Sequence, residues 1–348
     1  MLAPGSEAVV AASERLLPGG KPDSIGNRSW LATVTTDAGR FSVRQLDPAI
    51  PAVRVELIQE FLLQPELQNA TRLVASDRIG PLAFDARSWS LGSACGEAIV
   101  DGQWATIHLP SSLELEQLGS IAAALAVFHR SGMNGSILAR VPHLKLKDAL
   151  SAARRSLDLD ERRLAGEIRK ESRARRWLSS ARPLLANAEH AIEQADFLRS
   201  EQPVITHQDL WSAHIVSEPD GGHAFLDCSR IGAAPVATDL AQLIGRNGAW
   251  SDDRVEQVLT GYVDARPISP VQRRILPWLV ALDAIPSCGR LLVRAHDERR
   301  PLSDADRRTV LQGADLQLEL LARLAAEFVP PPPRQRRRPG RHTGLAQD

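Results

Sequence analysis

Cysteine is scarce in this chain, three in 348 residues (Cys95, Cys228 and Cys288). The set is odd, widely spaced and without a C-x-x-C pair, which argues against a disulfide scaffold and for reduced thiols in a cytoplasm. All three read first as small buried apolar residues. Net charge is lacking as well: 42 basic and 42 acidic side chains cancel, so no overall field favours nucleic acid or another polyanion. Aromatics make up only 4%, too few to interleave with the Lys/Arg-rich stretch Arg154–Arg176 as stacking platforms. That stretch, laced with acids, reads as a solvated helical face. Long apolar runs are missing too. Leu2–Leu17 is interrupted by Glu7, Ser13 and Glu14, unlike a secretion signal, and no window is expected to span a bilayer. What remains, 43% hydrophobic and 24% charged residues, describes a globule long enough for two domains or one bilobal unit.

The most informative segment runs from Val204 to Ile244, VITHQDLWSAHIVSEPDGGHAFLDCSRIGAAPVATDLAQLI. Asp220-Gly221 suits a two-residue hairpin loop. That register pairs Val216 with Phe225 and Ile215 with Leu226, and sets His214 opposite Asp227. Asp209 lies on the loop entering the first strand, two residues after His207. A base candidate and a metal-ligand candidate therefore converge at the open end of the hairpin, a layout suited to phosphoryl transfer.

His207-Gln208-Asp209-Leu210, then His214-Ile215-Val216, then Phe225-Leu226-Asp227 resembles the catalytic and metal-binding loops of the aminoglycoside phosphotransferase-like kinases. That family includes choline, homoserine and fructosamine kinases and has a protein-kinase-like fold. The resemblance implies Asp209, with His207, as the catalytic pair and Asp227 as the principal Mg²⁺ ligand. It implies Asp239, in Thr238-Asp239-Leu240-Ala241, as the acid that opens the next helix and braces the catalytic loop. One departure stands out: His214 occupies the family's Asn position. Mg²⁺ prefers oxygen, whereas imidazole suits zinc, copper, iron or nickel. His214 is therefore open to holding metal through water, hydrogen-bonding Asp209, or marking a site that has lost its metal.

Upstream, Trp30–Thr35 and Phe41–Leu46 alternate as two strands around the turn Asp37-Ala38-Gly39. Gly26 to Ser29 resembles the family's short nucleotide-covering loop, without the G-x-G-x-x-G of protein kinases. Arg44 matches the cation that holds the α/β-phosphates. In the helix Val53–Leu63, Glu56 or Glu60 would pair with it; Glu56 is the choice, since it precedes Leu57-Ile58. Trp89–Glu97, including Ala94 and Cys95, matches the hinge that receives adenine. Leu115, Leu118, Ile121, Ala122, Leu125 and Phe128 mark an amphipathic helix ending at His129, a packed or capping residue. Residues 144–200 read as mostly helical, and Pro235 fits the first turn of the Asp239 helix. Later helices are expected near Arg254–Tyr262, Val271–Val293 and Ser303–Phe328, with Ser251-Asp252-Asp253 as a cap.

The expected fold is α+β and bilobal: a β-rich N-lobe over 1–95, a helical C-lobe over 96–328, and a Pro/Arg-rich disordered tail over 329–348. The implied function is transfer of the γ-phosphoryl of ATP, with Mg²⁺, to a hydroxyl of a small molecule, with no nucleic-acid or membrane partner. Two rivals stand beside it. One is a nucleotide-binding module of the same fold, impaired by His214. The other is a transition-metal hydrolase ligated by His207, Asp209, His214 and Asp227.

Overall fold

A computed structural model describes residues 6–25, 31–45, 52–64, 67, 73–79, 82–88, 93–100, 106–111, 113–131, 135–170, 172–194, 203–247, 250–264 and 266–330. The fold is α+β. The chain opens with helix α1 (Ser6–Leu16) and strands β1 (Lys21–Ile25), β2 (Leu31–Thr36) and β3 (Gly39–Gln45). After helix α2 (Ala52–Leu62) come β4 (Leu73–Ile79) and β5 (Leu82–Ser88), completing an antiparallel sheet of order β1-β2-β3-β5-β4. Alternation sends Ala32, Val34, Val43 and Ala86 to one face, where Val9, Ala12 and Leu17 of the α1 region cover them. The β2–β3 turn is shorter than expected: Thr36 pairs with Gly39, leaving Asp37 and Ala38 as its two central residues. Helix α1 and strand β1 were not foreseen from sequence; neither carries a long clean period.

Helix α2 belongs to the second, larger core. Ile58, Phe61 and Leu62 are buried in it, and Phe61 meets Phe128 edge-on with ring centroids 5.5 Å apart. Strands β6 (Ser93–Ala94), β7 (Ala98–Val100) and β8 (Thr106–His108) lead into helices α3 (Leu115–Ser131), α4 (Gly135–Leu138), α5 (Leu146–Arg163), α6 (Ala165–Lys170) and α7 (Ser172–Gln194). Within α3 the expected stripe is buried except for Leu115, which is 43% exposed at the first turn.

The remainder is β9 (Val204–Thr206), β10 (Ile215–Ser217), β11 (His223–Phe225), β12 (Gly232–Ala234), α8 (Ala237–Arg246), α9 (Asp252–Val263), α10 (Pro270–Ala295) and α11 (Asp304–Phe328). Ser251 and Ser303 cap α9 and α11 by accepting from Arg254 N–H and Asp306 N–H, as their sequence contexts imply. Pro235 lies just before α8 rather than in its first turn, since Val236 is the residue flanking the helix. Helix α10 corrects one expectation. By length and composition it could cross a membrane, yet 78% of its most apolar window is buried. Only Asp283 and Arg290 interrupt Ile275–Val293, and the helix lies at the centre of the second core. The tail from Pro331 onward lies outside the described residues.

Helices α3 and α9 approach closely enough for backbone contact. A Cβ on Gly261 would overlap the Gly119 main chain, whereas the nearest atoms to one on Gly119 belong to the Gln257 side chain. Gly261→Ala is expected to cost about 1–3 kcal/mol by overpacking. Gly119→Ala should cost far less, because Gln257 can rotate and alanine favours the helix. Urea midpoints of the two variants check the asymmetry.

Candidate active site

The hairpin that carries the site is slipped by one residue from its sequence-based register. Ile215 pairs with Phe225 and Val216 with Ala224. Pro219 explains the slip. A two-residue loop at Asp220-Gly221 would need Pro219 to donate an N–H it does not possess. Instead the Gly221 N–H donates to the Glu218 carbonyl, Gly221 takes φ 85°, and the Glu218 N–H donates to Gly222. This is a three-residue loop closed by a left-handed glycine. His214 consequently faces Leu226, whose N–H donates to the His214 carbonyl at 2.7 Å. A 3₁₀ turn over Ser212–His214 and the left-handed Asp227 (φ 52°, ψ 54°) still bring the two side chains together. His214 Nε2 lies 3.7 Å from Asp227 Oδ2.

Asp239, at the start of α8, braces the loop that carries Asp209. Its Oδ2 accepts from His207 N–H (2.6 Å) and His129 Nε2 (2.9 Å), and its Oδ1 accepts from Gln208 N–H (2.9 Å). Gln208 is held at φ 61°. Among the described residues, it and Asp227 are the non-glycine residues with positive φ, and both flank the site, where such strain concentrates. Burial pushes the Asp239 carboxyl up, but the bond to His129, with charge and backbone donors, outweighs it and holds the group below its ordinary range. His129 is fully buried between Asp239 and the Tyr262 hydroxyl, 2.8 Å from Nδ1, the packed histidine expected.

Helix α8 does more than Asp239 alone. Gln242 accepts from Leu210 N–H (3.0 Å) and donates to the Gln208 carbonyl (3.2 Å). Arg246 Nη1 donates to Asp209 Oδ1 at 2.8 Å. Asp239, Gln242 and Arg246 thus form one stripe at i, i+3 and i+7, addressed to the loop. The Arg246 guanidinium is also held by Asp283 on α10 through two 2.7 Å bonds and lies 4.5 Å over the Trp211 ring. Burial raises the Asp209 carboxyl, but Arg246, then Arg230 (Nε to Oδ2, 3.7 Å) and His214, bring it below its ordinary range. Asp209 is therefore a carboxylate at neutral pH, with Oδ1 committed and Oδ2 less encumbered.

His207 does not reach the surface of the site. It is fully buried; its Nε2 donates to the Leu226 carbonyl (2.8 Å), and its Nδ1 accepts from Asp209 N–H (3.3 Å). Its place is beneath the loop, which corrects its pairing with Asp209 as a catalytic group. With both nitrogens occupied it cannot ligate a metal, which also removes a donor from the hydrolase reading. His214 takes one of the three options left open by the sequence: Nδ1–H donates to the Asp209 carbonyl at 2.8 Å. His108 stacks on Trp211 and meets His214 edge-on at 4.3 Å; burial and then His214 bring its pKa down to about 4.

The phosphate-side residues are placed as follows. Arg44 Nη2 is 3.9 Å from Asp227 Oδ1. Burial raises the Asp227 carboxyl, and Arg44 and His214 more than reverse this, leaving it well below its ordinary range. Glu60 is bound by Arg140 in a two-pronged ion pair (2.8 and 3.0 Å), so of the two acids Glu56 is the one this pair does not take. Ala94 and Cys95 lie on the link expected as a hinge. Ala94 pairs with Val216, and Cys95 N–H donates to the Ile215 carbonyl. The link is thereby tied to the catalytic hairpin, and its closeness depends on Gly96, where a Cβ would overlap Ser212. Arg54 on α2, unforeseen from sequence, donates to the Ser229 and Ile231 carbonyls (both 3.2 Å), joining α2 to the Asp227 turn. Gly26 and Ser29 lie outside the described residues.

Comparison with known proteins follows the same line. Residues 23–278 match a family described as the phosphotransferase enzyme family. An aminoglycoside phosphotransferase from Alicyclobacillus acidocaldarius superposes with TM-score 0.62 at 18% identity, covering 94% of this chain and 96% of that one. Spectinomycin phosphotransferase in its AMP-bound complex gives 0.60 at 10% identity, covering 92% and 98%. A Plasmodium vivax ethanolamine kinase gives 0.54 at 13% identity, covering 89% and 87%. No curated protein matches the chain by sequence.

Proposed function

Since the chain belongs to the phosphotransferase enzyme family, we propose that it transfers the γ-phosphoryl group of ATP to a hydroxyl of a small molecule, in a reducing, cytoplasmic setting. The observation that carries this reading is the placement of Asp209 and Asp227, two carboxylates held below their ordinary range at the open end of one hairpin, with Arg44 beside the second. Asp209, anchored through Oδ1, uses Oδ2 to orient the acceptor hydroxyl and take its proton. Arg44 and Arg230 supply positive charge where phosphate oxygens gather, and the link through Ala94 and Cys95 borders the adenine. The Asp227 carboxylate fits a hard divalent cation such as Mg²⁺, which needs only one or two carboxylates beside phosphates and water; bound there, it would neutralise phosphate charge. Positioning and charge neutralisation carry most of the rate in such a site.

The test is ADP release from ATP with a panel of amino alcohols, sugars and aminoglycosides, with Asp209→Asn as the blank. Acceptor-dependent release that vanishes in the variant supports the proposal; release that persists in it contradicts the assignment. His214 favours one second reading, a nucleotide-binding module without transfer, because a ring nitrogen stands where an oxygen ligand is expected. Its signature is nucleotide binding with no acceptor-dependent release from any member of the panel.

A further inference from the structure

A main-chain carbonyl can only accept, so the 2.8 Å contact from His214 Nδ1 to the Asp209 carbonyl puts the proton on Nδ1. In the neutral ring Nε2 is then a bare lone pair. It lies 3.7 Å from Asp227 Oδ2, beyond hydrogen-bond range. Two donors each about 2.1 Å from one cation stand roughly 3.0–4.2 Å apart, so the gap fits a bridging ion. Asp227 Oδ1 lies 3.9 Å from Arg44 Nη2 and Ser229 also bonds this carboxylate, whose two oxygens keep enough lone pairs for an ion as well. His108 packs edge-on against the His214 ring with centroids 4.3 Å apart, restricting its rotation. The ring is locked from behind as well: the acceptor to which Nδ1–H is bonded, the Asp209 carbonyl, belongs to the same loop, the kind of outer contact that fixes a ligating histidine's tautomer and aim.

We propose that His214 is a nitrogen ligand which, with Asp227, shifts this site's preference from Mg²⁺ toward first-row transition-metal cations, Mn²⁺ least and Co²⁺ more strongly. The inference rests on reading the site as a nucleotide-phosphate centre. Mg²⁺ gains little from imidazole, whereas Mn²⁺ and Co²⁺ accept nitrogen and oxygen together. Among the described residues no group of three or more His, Cys, Asp and Glu side chains could hold a metal, so nucleotide phosphates and water complete the shell and binding depends on nucleotide.

The experiment measures Mn²⁺ and Mg²⁺ affinity in the presence of ADP, by Mn²⁺ EPR titration and Mg²⁺ competition, on wild type, His214→Asn and Asp227→Asn. Pulsed EPR reads nitrogen coupling to the bound Mn²⁺. Wild type should show nitrogen coupling that His214→Asn removes, with the Mn²⁺ over Mg²⁺ preference falling by roughly tenfold or more; Asp227→Asn should lose both ions. If metal and ADP bind but preference and coupling are the same in wild type and His214→Asn, the ligand assignment is overturned and the phosphotransferase reading stands. If ADP fails to bind with either ion, both fall together. Should His214→Asn misfold, absence of nitrogen coupling in wild type alone still overturns the proposal.

Discussion

Asp209→Asn is expected to remove turnover while leaving a folded protein. The side chain keeps its shape, and an amide oxygen can still accept from Arg246 Nη1, while Nε and Nη2 of the same guanidinium remain bonded to Asp283. The loss in stability should therefore be about 1 kcal/mol, the net worth of a weakened hydrogen bond. The loss in kcat should be far larger, about 10²- to 10⁴-fold, because the proton acceptor and its charge are both gone. The measurements are acceptor-dependent kcat and a urea midpoint on the same preparation. A variant that keeps its activity removes Asp209 from the chemistry, and one that unfolds assigns the residue to structure.

Asp239→Ala should do the reverse, damaging the fold first. The substitution orphans the His207 and Gln208 N–H groups and the His129 ring N–H inside a fully buried site. Each orphaned donor costs about 1–3 kcal/mol, and loss of a buried charged partner about 3–5 kcal/mol overall, a large share of a typical domain's 5–15 kcal/mol. Gln208, held at φ 61°, then loses the acceptor of its own N–H, so residual activity should fall with stability. The pH dependence has a definite sign. The folded carboxyl titrates below its unfolded value, so its contribution is fully present above about pH 4 to 5, near the ordinary Asp range, and is lost as pH falls through the folded value. Asp239→Asn should thus melt earlier than wild type at pH 7, with the gap narrowing in acid. Thermal midpoints of both proteins from pH 7 to pH 3 check this; a constant gap would mean that the carboxylate's charge contributes nothing.

Much of this site was legible because its residues lie within one segment at fixed spacing, and its chemistry needs particular side chains. Asp209, Asp227 and Asp239 meet around the same loop and hairpin end as their spacing implies, although Leu226 and not Asp227 faces His214. The register was not legible from the Asp-Gly pair: the residue that decided it was Pro219, through the N–H it lacks. Arg246 and Gln242 left a signal that was passed over, a polar stripe within an otherwise apolar buried helix, in line with Asp239. Asp283 and Arg54 left none. Each meets the site across 37 or more residues of chain, Asp283 through Arg246 and Arg54 through the Asp227 turn, and no local pattern encodes a partner so distant. Of the N-terminal sheet only β2 and β3 were legible, since β1, β4 and β5 are paired by tertiary contact more than by their own alternation.

The measurement that tests the central claim most directly is the thermal midpoint with ATP, with and without a divalent cation (Mg²⁺ and Mn²⁺ in turn), on wild type and Asp227→Ala. A ligand bound only by the folded form raises the midpoint by mass action. The expected result is a cation-dependent rise with ATP in wild type that disappears in Asp227→Ala. An ATP shift of equal size with and without cation, or one that survives in Asp227→Ala, would contradict the site described for phosphoryl transfer.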